Sequence, residues 1–288
     1  MKLNKLLNRI ILYICLAMLT IFFLFPIYWI FASSFKPIEE IMTAKPMLIP
    51  NNPTLEHYIN LFSPTALYGG IERAGKFFLF FIRNSLITSS ITVTISVIIS
   101  VVGGYALSRY RFKGSTLLSR LMLLIYLFPG VLLTIPLFEI MAYLNIVNNH
   151  ISLILVYVPL TASFCTWLMK AFFDTVPREL DEAVLVDGGN TFDAFTKVIL
   201  PLSKPGLMTI IIFSFVTCWG EYLFASILIN SDHLKLIAPG LAMYMGYQYI
   251  EWGSLLAGAS LVTIPVLALF LPISRYFLRE LVSGALKF

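Results

Sequence analysis

The stretch RELDEAVLVDGGNTFDAFTKVILPLSKPG, residues 178–206, is strongly charged in a chain that is otherwise apolar. In the whole chain 59% of the residues are hydrophobic and 12% are charged. Six of the 15 acidic residues nevertheless lie in or just before this stretch, namely Asp174, Glu179, Asp181, Glu182, Asp187 and Asp193. A glycine pair, Gly188 and Gly189, divides the stretch into two parts.

The part before the glycine pair has the pattern of a short helix. Pro177 suits a first helical turn, where its missing amide does no harm. Three acids follow close to that helix N-terminus, where carboxylates are stabilised by the helix dipole. Gly188 or Gly189 then ends the helix, because glycine readily adopts the left-handed conformation of a helix C-terminus.

The part after the glycine pair predicts a second short helix. Asn190 or Thr191 caps it, with Asp193 in its first turn. An apolar stripe runs along it, formed by Phe192, Phe195 and Ile199. Pro201 and Pro205 are expected to stop this helix before the next apolar run, since proline cannot continue a helix.

We call residues 173–206 the bracket, and we expect it to bind a protein partner. The alternative is a hairpin that lies flat on the membrane surface. The acids argue against that alternative, because the inner leaflet of a cell membrane is anionic and would repel them.

The apolar runs around the bracket predict an all-α integral membrane protein with six transmembrane helices. The mean hydropathy is +0.88, and a helix needs about 20 apolar residues to cross a bilayer. Only helices satisfy their backbone inside lipid without neighbouring strands. The predicted spans are residues 10–35, 84–108, 121–144, 151–172, 207–229 and 252–274.

The basic residues predict the orientation of these spans. Lysine and arginine collect on the cytoplasmic side of a membrane, and here they collect in residues 1–9, 109–120 and 275–288. Both termini and the bracket, which joins spans four and five, are therefore expected in the cytoplasm. The net charge of +5 reflects this topology, and no clustered basic face indicates a nucleic-acid partner. The long outer connection, residues 36–83, is expected to fold as a cap.

Several motifs resemble one family of transporters. Glu182 with Ala183, Asp187 with Gly188, and Ile-Leu-Pro at 199–201 resemble the "EAA" signature of permease subunits in binding-protein-dependent ABC importers. Further motifs, spread along nearly the whole chain, resemble the maltose-type carbohydrate branch of that family. They are SSFKPIEEI, TLEHYINLF, NSLITS, GYALSRYRFKG and RYFLRELVSGALKF.

This resemblance implies a transport mechanism. The bracket would contain the coupling helix that seats in a separate ATPase subunit, and the coupling residues would be Glu182, Ala183, Val184, Asp187, Gly188, Leu200 and Pro201. The carboxyl tail would reach the ATPase through Gly284 and Lys287. ATP and magnesium would bind the partner ATPase, and this chain would hold no catalytic residue, metal or cofactor.

The same resemblance implies the partners and the location of the chain. The partners would be a homologous second permease, an ATPase dimer, an extracytoplasmic solute-binding protein and membrane lipid. The location would be the inner or plasma membrane of a prokaryote. The chain departs from the family pattern at Val184, where a second alanine is usual, at Gly189, and at Gly220, which replaces an asparagine.

Two acids lie inside predicted spans, where a charged group is costly and is functional by default. Glu139 follows Pro136, and Glu221 follows Gly220, so irregular helix ends are expected to satisfy both carboxylates. Together with Trp219 and Tyr222, they are candidates for a pore or gating role. Direct sugar contact is a less favoured role for them, since aromatic residues in spans more often pack.

Three other functions remain open from the sequence. The chain is predicted to form half of an ATP-driven pore for a sugar or oligosaccharide, which the whole-chain resemblance favours, and the first alternative is an ABC importer of another solute such as an amino acid, phosphate or polyamine. An ion-driven secondary transporter is disfavoured, because six spans are few and no inverted repeat is evident. A membrane scaffold or receptor without transport is the third class.

Overall fold

The computed structural model describes residues 2–62, 72–246 and 250–285. Within these ranges every regular element is helical, and strand-like pairing is limited to one isolated bridge between Met245 and Ile250. The predicted all-α class is therefore confirmed. The α-helices are α1 (Lys2–Ser34), α2 (Ile38–Ile41), α3 (Glu56–Phe62), α4 (Glu72–Arg109), α5 (Ser115–Leu127), α6 (Gly130–Tyr143), α7 (His150–Asp174), α8 (Glu179–Val186), α9 (Thr191–Asp193), α10 (Leu200–Leu202), α11 (Lys204–Trp219), α12 (Leu223–Leu228), α13 (Ile237–Ala242) and α14 (Trp252–Ala285).

Four of these helices contain a stretch long and apolar enough to cross a membrane. The stretches are Leu6–Ser34, Gly75–Arg109, His150–Asp174 and Trp252–Pro272. Two further candidates are bent pairs of helices, and the total reaches six only if each pair is one span. Predicted spans one, two, four and six thus correspond to single helices, and the count of six stays a prediction.

The third predicted span, residues 121–144, is broken rather than straight. Helix α5 ends at Leu127 and α6 starts at Gly130, with an angle of 94° between them. Phe128 is extended, with ψ at 131°, as expected for a residue before proline. Pro129 has no amide to donate, so the helix stops where the sequence alone predicted that it continues.

The fifth predicted span, residues 207–229, is also interrupted. Helix α11 ends at Trp219, and three residues separate it from the short helix α12. At its other end α11 meets the segment Thr191–Leu202 at 74°. The break after Trp219 places Glu221 between two helix ends rather than inside a regular helix.

One compact unit consists of residues 1–78 and 241–264. The Tyr58 hydroxyl lies 2.7 Å from the Ser34 hydroxyl and 2.8 Å from that of Ser260. His57 Nε2 lies 2.8 Å from the Lys36 carbonyl oxygen, and the Lys36 ammonium lies 3.9 Å from the Trp29 ring centroid. These contacts fold the described part of the outer connection onto α1 and α14, which confirms the predicted cap for residues 36–62.

The second unit consists of residues 79–240 and 265–288. Helix α7 lies at its centre and packs against α5 and α11. Small residues allow close helix contact at two points. A Cβ added to Gly104 of α4 would lie 2.8 Å from the Met169 Cβ of α7, and one added to Gly206 would lie 2.5 Å from the Phe172 ring.

We expect Gly104→Ala to destabilise the protein by about 1–3 kcal/mol, the usual cost of overpacking. The added methyl group would also lie 3.0 Å from the backbone nitrogen of Lys170, which cannot move aside as a side chain can. Thermal unfolding of the purified protein in detergent measures the effect. Gly220→Ala is the matched control, because its Cβ would meet only the Val216 carbonyl at 3.6 Å. Equal melting temperatures for the two variants would contradict the expectation.

Candidate functional site

The first helix of the bracket is α8, which forms as the sequence predicts. Its first turn carries Glu179, Asp181 and Glu182. It ends at Val186, and two residues later Gly188 has a φ of +86°, in the left-handed region. The Gly188 amide donates to the Leu185 carbonyl at 3.2 Å, which satisfies one of the last carbonyls of the helix. The expected left-handed stop is thereby confirmed and assigned to the first glycine of the pair.

The second helix of the bracket starts with a capping box. The Asp193 amide donates to the Asn190 side chain at 3.0 Å, and the Asn190 amide donates to the Asp193 carboxylate at 3.2 Å. Asn190, not Thr191, is therefore the cap. Lys197 pairs with Asp193 at 2.5 Å, and this ammonium together with the Asn190 amide lowers the pKa of the Asp193 carboxyl. The charge at the helix N-terminus is thus held in place.

The second helix ends at Leu202, directly after Pro201 and before α11, as the sequence predicts, but it is not a regular α-helix throughout. A π-helical turn, Ala194–Ile199, connects α9 to α10, and Pro201 lies inside α10. In that wide turn the Leu200 amide donates to the Phe195 carbonyl. Pro201 comes next and has no amide, so no donor is left unpaired where the wide turn ends. The chain then bends at Ser203 into α11.

Val184 and Gly189, two positions at which the bracket departs from the family pattern, contact each other. A Cβ added to Gly189 would lie 2.7 Å from a methyl carbon of Val184 and 2.9 Å from the Val184 carbonyl oxygen. The Gly189 amide also donates to that carbonyl at 2.9 Å. The larger side chain at position 184 therefore occupies the space that an alanine at position 189 would need. The sequence alone does not show that positions 184 and 189 compete for the same space.

The bracket has a buried face and an exposed face. On the buried face, Val176 and Ile199 join a buried cluster with residues of α4 and α7, and Ala194 is also buried. The exposed face is partly apolar, with Val186 86% exposed and Phe192 72% exposed. Of the predicted coupling residues, Val184 and Leu200 are half-buried, whereas the exposed ones are Glu182, Ala183, Asp187, Gly188 and Pro201.

Sequence reasoning missed the residues that tie the bracket to α4. Arg109, the last residue of α4, forms an ion pair with Asp181 at 2.7 Å. The Tyr105 hydroxyl donates to the same carboxylate at 3.2 Å. The sequence identifies Arg109 only as one of several basic residues expected on the cytoplasmic side. Its position at the end of an apolar run was the available signal, but the sequence does not show which acid it meets 72 residues later.

The tail residues predicted to reach an ATPase are only partly placed. Gly284 lies in the last turn of α14, and Lys287 lies outside the described residues. Within the described ranges, no three His, Cys, Asp or Glu side chains are grouped so that they could hold a metal ion.

Glu221 is bound by backbone groups at the break between α11 and α12. Its carboxylate accepts from the amides of Phe224 at 2.9 Å and Ala225 at 3.0 Å, which lie in the first turn of α12. The Tyr157 hydroxyl of α7 donates to it at 2.5 Å. The expectation that an irregular helix end satisfies this carboxylate is confirmed.

A cavity of about 210 Å³ lies beside Glu221. Its lining includes Tyr126 and Tyr157, together with Gly130 at the break between α5 and α6. The break at Phe128–Gly130 and the break after Trp219 therefore border one space. Trp219 is buried and stacks on Phe215 with ring centroids 5.4 Å apart, while the exposed residues Tyr222 and Glu139 do not line the cavity.

Comparison with known proteins decides the family. Residues 93–282 match the model of the family described as binding-protein-dependent transport system inner membrane component. The chain belongs to this family. The predicted resemblance to permease subunits of binding-protein-dependent importers is therefore confirmed, and the bracket, residues 173–206, lies inside the matched region.

Relatives of similar length cover almost the whole chain. The inner membrane ABC transporter permease protein YcjP of Escherichia coli (strain K12) is 34% identical over 285 residues, which are 99% of this chain and 98% of the relative. The trehalose/maltose transport system permease protein MalG of Thermococcus litoralis is 32% identical over 286 residues, 99% of each chain. Permeases of this family are membrane proteins, in agreement with the apolar helices.

The fold is also that of a solved permease. A chain from the crystal structure of a bacterial ABC transporter involved in the import of the acidic polysaccharide alginate superposes with a TM-score of 0.71 at 22% identity. The superposition covers 95% of this chain and 98% of the other. At this identity the match establishes the shared fold.

We expect Gly189→Ala to disorder the turn of the bracket, because the new methyl group would overlap Val184. The cost is about 1–3 kcal/mol, read as faster amide hydrogen exchange in α8. Adding Val184→Ala removes one of the two overlaps and should restore part of the protection, the Val184 carbonyl remaining in place. Exchange in the double variant as fast as in Gly189→Ala would show that the two positions are independent.

Glu221→Ala is expected to lower the stability of the permease by about 1.5–3 kcal/mol, the usual scale for hydrogen bonds to a charged group. The substitution leaves two amides and the Tyr157 hydroxyl without their acceptor. The melting temperature in detergent measures the loss. Glu139→Ala removes an exposed acid from α6 and should change stability by about 0.5 kcal/mol or less. A melting temperature for Glu221→Ala equal to that control would contradict the structural role of Glu221.

Proposed function

We propose that this chain forms half of the translocation pore of an ATP-driven importer for a sugar or oligosaccharide. A homologous second permease completes the pore, two ATPase subunits drive it, and an extracytoplasmic binding protein delivers the solute. The observation that carries this proposal is the bracket. Its buried face packs within the protein and orders it, and its exposed face carries apolar and acidic side chains suited to bind another protein.

The names of the relatives support a sugar or glycoside as the solute. Permeases that are 30–33% identical to this chain belong to transport systems for trehalose/maltose, sulfoquinovosyl glycerol, diacetylchitobiose and galactooligosaccharides. These solutes differ in size and charge, and they share glycosidic chemistry. The proposal therefore extends to the class of solute and not to one sugar.

The exposed face of the bracket supports an ATPase as the partner. Exposed apolar side chains that cluster on a protein surface favour a docking site, and here Val186 and Phe192 are both exposed, one before and one after the Gly188 turn. The acids Glu182 and Asp187 lie beside them and offer charge to a basic or polar cleft. An apolar centre with a polar rim is the usual arrangement of a protein interface.

The bracket transmits energy by differential binding. A partner shifts a conformational equilibrium only by the difference between its affinities for the two states. In the proposal, the ATPase pair closed around ATP and magnesium binds the bracket best in one pore state, and hydrolysis on the ATPase removes that preference. This chain supplies the docking surface and the helices that move, and the ATPase supplies the chemistry.

The pore lies, in this proposal, along the helix breaks that border the cavity near Glu221. A broken helix at membrane depth is tolerated where it lines a protein cavity. The breaks at Phe128–Gly130 and after Trp219 give α6 and α12 freedom to change direction when the bracket moves. Glu221, which joins α7 to α12, is then a gating residue and not a sugar ligand.

The experiment that tests the proposal is reconstitution with the partners that co-purify with this chain. Vesicles that contain the complex, loaded with ATP and supplied with the binding protein, are expected to accumulate labelled trehalose, maltose or a galactooligosaccharide. Accumulation driven by an ion gradient without ATP would indicate a secondary transporter instead. Labelling of a Val186→Cys variant in cells by a membrane-impermeant reagent would place the bracket outside and overturn the proposal.

Val186→Glu is expected to uncouple the transporter from its ATPase. Val186 is 86% exposed, so the substitution leaves the packing of the chain intact while it places a charge in the docking surface. We expect at least about a tenfold loss of co-purified ATPase, the scale of a substitution at an interface hot spot. Ile49→Glu is the matched control, because Ile49 is 72% exposed in the outer connection. Equal recovery of ATPase with both variants would contradict the assigned docking surface.

A further inference from the structure

A single guanidinium joins three segments at the root of the bracket. Arg109 is the last residue of α4, and its Nε lies 2.7 Å from the carboxylate of Asp181 in α8. One terminal nitrogen donates to the Phe173 carbonyl at 3.0 Å, and the other donates to the Val176 carbonyl at 3.0 Å. Those two carbonyls lie at the end of α7 and in the link to α8. The planar fork of arginine fits this divergent set of acceptors, whereas lysine does not.

Further hydrogen bonds connect the same three segments. Arg178, at the start of α8, donates to the Ser108 carbonyl of α4 at 2.7 Å. The Ser108 hydroxyl donates to Asp174, at the end of α7, at 2.7 Å. We call this set the clamp; it consists of Tyr105, Ser108 and Arg109 of α4, with Asp174, Arg178 and Asp181 of the bracket.

The clamp also reaches the second helix of the bracket. The Tyr105 ring lies 5.8 Å from the Phe173 ring and 4.7 Å from the Phe195 ring, measured between centroids. Phe195 lies in the π-helical turn. The last turn of α4 therefore contacts the end of α7, the first helix of the bracket and the second helix.

The central ion pair of the clamp, Arg109 with Asp181, is largely protected from solvent, whereas Asp174 and Arg178 at its edge are exposed. The side chain of Arg109 is 9% exposed and that of Asp181 is 16% exposed. Exposed ion pairs contribute little, but removing one partner of a buried pair leaves the other charge without compensation. Both partners must separate from their neighbours for α8 to turn relative to α4, so the clamp resists such a turn.

We infer that the clamp makes the end of α4 part of the body that moves with the bracket, and that Arg109 is a positioning residue for coupling. This inference rests on the proposed function and extends it to a helix that lies outside the bracket. Movement of the bracket would then be carried into α4, the second span, through Asp181 and Arg109. The competing role is that the pair only holds the loop folded, with no part in coupling.

The first test compares Arg109→Gln with Arg111→Gln in the intact transporter. Arg111 is an exposed base two residues further on, so both variants lose one charge from the same connection. We expect solute uptake per ATP hydrolysed to fall by about 2- to 30-fold in Arg109→Gln and to stay unchanged in Arg111→Gln. Arg109→Lys keeps a charge opposite Asp181 but loses carbonyl contacts, and it should give an intermediate ratio.

A double-mutant cycle separates the clamp from two independent contributions. If Arg109 and Asp181 act through each other, the ratio in Arg109→Gln with Asp181→Asn should be no lower than in either single variant. Multiplied losses in the double variant would overturn the inference. A wild-type ratio in Arg109→Gln would overturn it as well.

A distance measurement tests the shared motion directly. Spin labels at Phe112→Cys and Glu179→Cys, placed after Cys15→Ser, lie on either side of the clamp. We expect their distance in the assembled complex to be the same with and without ATP, and to differ between those states once Arg109→Gln is added. A nucleotide-dependent distance with Arg109 present would show that α4 and the bracket move separately.

Failure of the proposed function is distinguishable from failure of the clamp. A wild-type complex without ATP-driven uptake would refute the importer alone. The clamp would then be judged by hydrogen exchange of the α8 amides, which Arg109→Gln must accelerate by about tenfold and Arg111→Gln must leave unchanged. Equal exchange in the two variants would refute the clamp whatever the transport result.

Discussion

Inside lipid a backbone amide or carbonyl has no solvent to bind, so every break in a helix must supply its own partners. This constraint applies to the two breaks inside predicted spans three and five. At Phe128 and Pro129 the break costs little, because proline carries no amide that needs an acceptor. After Trp219 the break exposes the amides at the start of α12, and the Glu221 carboxylate accepts from two of them. The Glu221 carboxylate thus replaces the backbone carbonyls that a preceding turn of helix would supply, and its oxygens are already engaged within the protein.

The charge gathered in the bracket divides into two groups with different tasks. Asp174, Asp181 and Asp193 are bound by Ser108, Arg109 and the Asn190 cap, and they hold the segment in one shape. Glu182 and Asp187 are exposed and remain available to a partner. Both groups are needed in one place, because the bound acids add polar contacts to the apolar packing that orders the bracket, while the exposed acids leave charge on its surface. The density of acids in residues 174–193 follows from this double requirement.

The parts of the structure that depend on near neighbours in sequence were predictable, and those that depend on distant contacts were not. The bracket helices, the stop at Gly188 and the cap at residue 190 or 191 follow from patterns within about four residues. The bend at Pro129 was missed because apolar composition is unchanged across it, whereas the irregularity after Trp219 was expected from the neighbouring Gly220 and Glu221. The wide turn before Pro201 was missed because proline predicts a stop as readily as a π-helical turn. The Arg109–Asp181 pair was missed because periodicity gives no information on which distant helix ends meet.

The shortness of α8 connects its order to its proposed task. Isolated helices of fewer than about 12–15 residues are marginal in water, and α8 has eight. Its order must therefore come from contacts with other segments, and the least exposed charged contact that it makes runs through Asp181 to Arg109. If α8 unfolded locally when its partner bound, the binding energy would be spent on that unfolding and would not move the rest of the chain. The contact that orders the helix is for this reason also the route by which its displacement reaches α4.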